Sequence, residues 1–288
     1  MSGRDPGDSG WFRYADPTDT DSAATVINEE TAEQPQDWPA EAVRAGIVES
    51  EDDYYEALHA ATVHATREAV RERETSTEQQ LHHSISAMDD AERTANELAE
   101  RAVEWAGSLA GGDGREPPAD GIDGARAVAA WTPETPAEER VVSLAERVVD
   151  LDAERAALRS FVESHAPTVA PNLAAMAGPV LAVRLLSLAG GLESLARKPA
   201  GTVQVLGAED ALFAHLEGRG PSPKHGVIFT HEYVRGTPPD DRGSAARALA
   251  GKLAIAARID HYSGAFKQSV HDDLDDRMAT IRDREGGE

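Results

Sequence analysis

The sequence predicts an all-α protein: a long helical hairpin or coiled coil followed by a compact helical domain. Three observations carry that prediction. Between Ser50 and Trp105 there is neither proline nor glycine while Ala, Glu and Arg dominate, the composition of long helix. Two separate stretches carry apolar residues at alternating three- and four-residue steps, the signature of a helix face that must be buried. From Pro171 to about Gly264, short runs of Leu, Val, Ala and Ile are punctuated by Gly and Pro as in a compact domain, and the single extended run there, Gly226-Val227-Ile228-Phe229, does not make a sheet.

Taken in order, residues 1–45 are rich in Asp, Pro, Thr, Ser and Gly, with Trp11, Phe12, Tyr14 and Trp38 as isolated aromatics, and read as irregular. The helical stretch that follows would span ~84 Å if unbroken, at about 1.5 Å per residue. A break is expected at Thr75–Gln79, where Ser76 can cap a new start with Gln79 reaching back to it. Beyond it, Leu81, Ile85, Met88, Ala91, Ala95, Leu98, Ala102 and Trp105 fall on one stripe. The glycines and prolines of residues 107–136 predict a loop. A second stripe, Val141, Leu144, Val148, Leu151, Leu158 and Val162, matches a heptad seam interrupted by Arg155. Two striped helices joined by a loop predict an antiparallel hairpin, and a seam that long with no third element predicts self-association.

In the compact domain the pattern predicts helices at Leu173–Leu188, broken or kinked at Gly178-Pro179, at Ala208–Leu216 and at Ser244–Ile259. Gly226-Val227-Ile228-Phe229 reads as a short extended piece, and the tail from His271 as a charged helix that frays. The expected organisation is residues 1–45, an irregular N-terminal segment; 46–165, a helical coiled-coil arm; 166–270, a compact helical domain; and 271–288, an acidic tail.

Charge is distributed unevenly. The 288 residues carry 28 Lys+Arg against 52 Asp+Glu, a net of −24. Residues 171–270 nevertheless hold 11 basic against 8 acidic groups, and all four lysines, Lys198, Lys224, Lys252 and Lys267, lie there. Excess carboxylate with scarce lysine suits a protein kept soluble in molar salt, where the Debye length falls to ~3 Å, and a salt-accumulating archaeal cytoplasm fits that composition.

Several chemistries drop out. With no cysteine there is no disulfide framework, thiolate zinc site or cysteine nucleophile. No apolar run approaches the ~18 residues of a membrane span, and Ser2–Ser9 lacks the basic and apolar regions of a signal peptide, so a cytoplasmic location is expected and no membrane partner. His82-His83 and the pair His59 and His64 do not share a helix face, and Asp272, Asp273, Asp275 and Asp276 lack the glycine turn of a calcium loop, so no metal is expected. Ser187 with Gly190 and Gly191 reads as a helix-ending turn rather than a phosphate loop. No nucleophile, base or paired carboxylate stands out; the expectation is no enzyme, no catalytic residue and no cofactor.

What remains is the cationic island: Arg184, Arg197, Lys198, Lys224, Arg247, Lys252 and Arg258. Cations gathered on one small domain of an acidic chain are a means of neutralising phosphates, although local pairing with Glu193, Glu209, Asp210 and Asp260 would account for any one of them. Within it, Pro223-Lys224-His225-Gly226 offers a lysine, an imidazole and a glycine backbone to a phosphate or unstacked base; a structural turn with a solvated lysine fits the same residues.

The island lies inside a longer ordered series: Ala170-Pro171-Asn172-Leu173, Arg184-Leu185, Leu195-Ala196-Arg197-Lys198-Pro199-Ala200, Thr202-Val203-Gln204-Val205-Leu206-Gly207-Ala208-Glu209, Ala211-Leu212-Phe213, Pro223-Lys224-His225-Gly226, and Arg247 to Asp260. This series resembles the Nop domain over roughly residues 166–264. Upstream, Gly46 to Ser50, Tyr54-Tyr55, and Met88-Asp89-Asp90 through Glu104-Trp105 resemble, more weakly, the coiled-coil arm of the same scaffold proteins. The resemblance implies an archaeal box C/D ribonucleoprotein scaffold that guides ribose 2′-O-methylation of rRNA or tRNA. Such a scaffold holds guide RNA with its kink-turn-binding ribosomal-type protein, recruits the methyltransferase fibrillarin and forms a homodimer through the coiled coil. It implies Gln204, Lys224, His225, Arg247 and Lys252 on the RNA-facing side, and Glu209 and Phe213, in the helix that Glu209 begins, facing the partner protein. A Nop-domain module that no longer recruits fibrillarin, or a coiled-coil structural protein, are the competing expectations.

The chain also departs from the family pattern. Asp210 stands where the family usually has lysine, Ala214 where arginine is common, and Ser244 where a basic residue is frequent. In molar salt counterion release gains little, so packing and hydrogen bonds would replace some phosphate contacts. The family places a globular fibrillarin-binding domain before the arm. Residues 1–45 offer a short stretch instead, so fibrillarin either docks on a remnant including Trp11, Phe12 and Tyr14 or is not bound. Ala106-Gly107-Ser108-Leu109 replaces the aromatic and proline ending of the first arm helix, so a trimmed hairpin tip is expected.

Overall fold

A computed structural model of the chain describes residues 11–13, 19–29, 36–110 and 118–283. Tyr14, Gly111, Gly112, Gly114, Pro117 and the last five residues of the expected tail lie outside the described residues. Every regular element among the described residues is helical, and the all-α prediction stands. The chain divides into two compact units, residues 1–76 and 77–288.

The first unit holds a 3-10 turn at Trp11–Arg13 and helices α1 (Thr20–Glu29), α2 (Trp38–Arg44) and α3 (Glu51–Thr75). The irregular segment expected for residues 1–45 is thus partly helical. The cause is an aromatic cluster: Phe12, Ala42 and Tyr54 are buried, with Trp11, Trp38, Val48 and Leu58 packed around them. Phe12 meets Tyr54 edge to face with ring centroids 5.9 Å apart, and Trp11 Nε1 donates to Tyr54 Oη at 3.3 Å. Ser50 caps α3 by accepting from Asp53 N, and α1 buries Ala23 and Ala24. Since α3 spends Tyr54, Ala61 and Ala65 on this unit, the compact division falls after Ser76 and not at residue 45.

The second unit begins with α4 (Thr77–Ala110) and α6 (Pro136–Val169), antiparallel and joined through α5 (Gly121–Ala129). α5 lies where the sequence predicts only loop, and it packs against both long helices. Their shared core comes in layers: Ala102, Ala106, Val128, Val141 and Ala145, then Ala95, Ala99, Ala125 and Val148. The alanines let three helices approach closely. A Cβ on Gly124 would sit 2.9 Å from Val103 Cγ2 and 1.6 Å from Ala119 O. Trp105, expected on the buried stripe, is 40% exposed because the buried line runs through Ala102, Ala106 and Ala110 instead. The expected seam thus has a third element, so the reason given for self-association no longer follows from a lone helix pair. Thr135 and Glu138 form a capping box at the start of α6.

At its other end the α4/α6 pair enters the main core. Leu81, Ile85, Met88, Val162 and Ala166 pack with α7 (Pro171–Ala177), α8 (Pro179–Ala189) and α13 (Arg242–Tyr262). α7 and α8 meet at 118° across Gly178, as the Gly-Pro pair predicts. Gly190, left-handed at φ 84°, ends α8, so the glycine pair is a helix stop. The shorter α9 (Leu192–Arg197), α10 (Ala200–Val205), α11 (Glu209–Leu216) and α12 (Glu232–Arg235) follow. Val227–Thr230 is a 3-10 turn rather than an extended piece, with Ile228 buried as its anchor. α13 is the central helix, with α7, α9, α10 and α12 against it.

The expected fraying tail is the docked helix α14 (Gln268–Asp283): Leu274, Met278 and Ile281 enter the main core at four- and three-residue steps. Tyr233 Oη donates to Asp275 on α14, and that bond, with burial behind it, pushes the Tyr233 hydroxyl up to about 12.

The residues that open and close the compact region meet each other. Asp260, at the end of α13, accepts Asn172 N at 3.0 Å and Leu173 N at 2.8 Å, and Asn172 Nδ2 donates to it as well, at 2.6 Å. Asn172 Nδ2 also donates to Ala265 O, and Asn172 Oδ1 accepts Lys267 N at 2.7 Å. The sequence singles out both motifs, and the structure shows that they form a buried clasp. Among the described residues no single helix is long and apolar enough to cross a membrane.

Candidate nucleic-acid interface

α10 is six residues long and is anchored by one buried side chain, Val203. Its C-terminal end is lashed to the Lys224 loop: Gln204 Nε2 donates to Lys224 O at 2.7 Å, Gly226 N to Gln204 O at 2.8 Å, and Val227 N to Leu206 O at 2.7 Å. Only glycine permits this approach, since a Cβ on Gly226 would lie 1.9 Å from Leu206 O. The expectation that the Gly226 backbone is free for a phosphate is therefore corrected: its N–H is committed to Gln204.

The lashing holds Lys224 at the wall of an open cavity of about 550 Å3, lined also by Gln204 and Arg247, with Gly201, Thr202 and Gly243 among the other walls. Three of the five residues expected to face RNA, spread over more than forty positions of sequence, thus share one concave surface. Neither Lys224 nor Arg247 has an ion-pair partner among the described residues, and both are exposed.

His225 is not one of the residues lining this cavity; it follows Lys224 in the loop, and its ring stacks on Phe229, centroids 4.6 Å apart. Phe229 also carries the Arg242 guanidinium, 5.4 Å from its centroid. Burial first, and then Arg242 and Lys224, push the His225 imidazole below its ordinary value, so it presents a neutral ring. Lys252 is placed elsewhere: Nζ pairs with Asp273 of α14 at 2.7 Å. Glu209 accepts Gly207 N at 2.9 Å, fixing the turn before α11. That helix buries none of its residues, and Phe213 and Leu216 are 61% and 71% exposed.

The other cations of the island do not form one patch. Arg184 pairs with Asp89, Arg197 with Glu193, and Arg258 donates to Ala196 O and Lys198 O at the end of α9. Among the described residues no group of three potential metal ligands occurs. Sequence reasoning missed Gly201, Thr202 and Gly243 as walls of the cavity, because small residues carry no chemical signal until the fold brings them together.

A helical head carrying an open cationic cavity, set on a helical arm, defines an all-α arm-and-head protein. The family described as "Nop: snoRNA binding domain, fibrillarin" matches residues 133–280, just over half of the chain, and the chain belongs to that family. An uncharacterized NOP5 family protein of Methanocaldococcus jannaschii is 46% identical over 142 residues, covering 49% of this chain and 34% of that protein. Nucleolar protein 56 of Schizosaccharomyces pombe is 40% identical over 144 residues, 49% of this chain and 29% of that protein. The chain thus spans about a third of the length of the curated relatives it matches. Among solved structures, a chain of a fibrillarin/Nop5p complex matches with a TM-score of 0.52 at 23% identity over 90% of this chain and 91% of that chain, a likeness of fold.

Proposed function

We propose that this protein is a non-catalytic, RNA-binding scaffold of a cytoplasmic box C/D ribonucleoprotein that guides ribose 2′-O-methylation, bridging guide RNA, a kink-turn-binding ribosomal-type protein and fibrillarin. The observation that carries the reading is the cavity where Lys224 and Arg247 stand without carboxylate partners among the described residues, in a chain of net charge −24. Cations kept unpaired in so acidic a protein have phosphate as their natural counterpart. Gln204, held against the loop, sets the position of Lys224, and His225 adds a neutral ring for stacking in the same loop.

The exposed α11 face, with Phe213 and Leu216, is the surface for the kink-turn protein. A second copy joins through the arm, where exposed Trp105 is the group to cover. Phe12 is buried in the first unit's own core, so it is not the fibrillarin contact.

The decisive test is a comparison of wild type with Lys224→Glu for retention of native RNA on the tagged protein, with the bound RNA sequenced. Retention should fall and circular dichroism stay unchanged, while for a purified guide the slope of log affinity against log salt should shrink by about one unit. Unchanged retention removes Lys224 from the interface. Copurification of guide RNA and the kink-turn protein without fibrillarin rejects the methylation role.

A further inference from the structure

Behind the Lys224 loop lies a second cavity of about 560 Å3, between α4 and α8. Gly226, two residues beyond Lys224, lines it, so the loop that borders the cationic cavity also borders this one. Its walls are mixed: Leu188, Val227 and Phe229 are the prominent apolar groups, Ser86, Ser187 and Thr230 stand among them, and Leu188 is 45% exposed. On the solvent side stand Arg184 and Asp89, whose side chains are 28% and 49% exposed, paired to each other through Asp89 Oδ1. Asp89 Oδ2 has no partner among the described residues, and Arg184 Nε is buried with no hydrogen-bond acceptor. A buried donor without an acceptor is uncommon and costly, and it points to a group that completes it.

The mutual neutralisation of Asp89 and Arg184 disfavours a phosphate here and favours a flat, uncharged ligand with both donors and acceptors. Resting on the RNA-binding reading above, we infer that this cavity takes one unpaired guanine base from the RNA strand that passes Lys224. The N1–H and N2–H groups of guanine are the paired donors a carboxylate accepts, and guanine O6 is an acceptor for the exposed part of the Arg184 guanidinium. Adenine and cytosine turn a lone pair toward the carboxylate at the matching ring nitrogen, and uracil offers one N–H between two carbonyls. The ring faces would lie against Leu188, Val227 and Phe229, which gain from excluding water.

The test uses the full chain and short single-stranded RNAs that differ at one central base, G, inosine, A or U, titrated at fixed salt by fluorescence anisotropy. The G oligonucleotide should bind about tenfold or more tightly than A or U, with inosine, which lacks the N2 amino group, in between. Asp89→Asn should abolish the discrimination. Leu188→Trp, a change at an exposed position that fills the opening, should do the same while leaving helix content intact. Lys224→Glu should weaken all four oligonucleotides equally and preserve their order.

Equal affinities for the four bases, or a guanine preference that survives both Asp89→Asn and Leu188→Trp, would overturn the inference while leaving the RNA-binding reading standing. Failure to bind any of the four, even at low salt, would overturn both. Displacement by a phenylalanine-bearing peptide without any base preference would assign the cavity to a protein side chain instead and so reject it.

Discussion

Asp152 in the arm and Asp260 in the head are buried to nearly the same degree, 7% and 6% exposed, and they satisfy their carboxylates in opposite ways. Asp152 is met by two guanidinium groups: Arg155 at 2.8 Å, from the next turn of α6, and Arg126, which reaches across from α5. Both arginines keep one side in water, 28% and 51% exposed. Asp260 has no cation among the described residues. It is held by two backbone N–H groups at the start of α7 and by the Asn172 side chain, at the positive end of a helix. Equal burial therefore conceals different dependence. The arm's carboxylate is neutralised by mobile, screenable side chains, whereas the head's is bound to main chain that has no other acceptor.

Replacing Asp260 tests the larger half of that contrast. In Asp260→Ala two buried backbone donors lose their acceptor, and chemical denaturation should show a loss of about 3 kcal/mol or more, with little dependence on salt. Asp260→Asn, which keeps one carbonyl oxygen, should recover part of it. Asp152→Ala should cost about 1 kcal/mol, since its partners remain solvated and Arg126 keeps Asp123, and the cost should shrink as salt is raised. Equal losses in Asp260→Ala and Asp152→Ala would mean that main-chain and side-chain satisfaction are equivalent here.

The smallest expected effect concerns a buried histidine. His231 Nε2 meets Met176 O at 3.1 Å and Nδ1 accepts Tyr233 N at 3.1 Å, an arrangement only the neutral ring can make. Burial lowers its pKa, so the unfolded chain takes up a proton more readily than the folded one. His231 therefore contributes stability that is complete above its ordinary value of about 6.5 and is lost as the pH falls below it. Denaturation midpoints should decline between about pH 6.5 and about pH 5, before the carboxylates titrate, and His231→Gln should flatten that decline.

The parts of the fold legible in the sequence were those whose signal is long. The α4 and α6 stripes run along helices of 34 residues each, and the Gly178-Pro179 break is a steric necessity. What escaped was short or masked. α5 has nine residues inside a Gly- and Pro-rich stretch and exists because Ala125 and Val128 find a groove between two helices, a tertiary effect no local propensity reports. α14 shows its Leu274, Met278, Ile281 spacing plainly, but the aspartates around it read as a solvated run. Trp105 misled because large apolar residues dominate a periodicity reading, while close helix packing selected the alanines.

At the site, Lys224 and Arg247 were readable as cations scarce in an acidic chain. The duty of Gly226 was not, since a glycine needed for close approach and one left bare for a ligand look alike in sequence. Arg184 carried an unread signal: a single charge in the otherwise apolar helix Pro179–Ala189.

α6 runs without interruption from Pro136 to Val169, about 50 Å at about 1.5 Å per residue, and belongs to the arm layers at one end and the head core at the other. It therefore acts as a rigid gauge. The far tip of the arm is thereby kept at a set separation from the Lys224 cleft, and shortening or lengthening the arm by whole turns would reset that measure without altering the cleft itself.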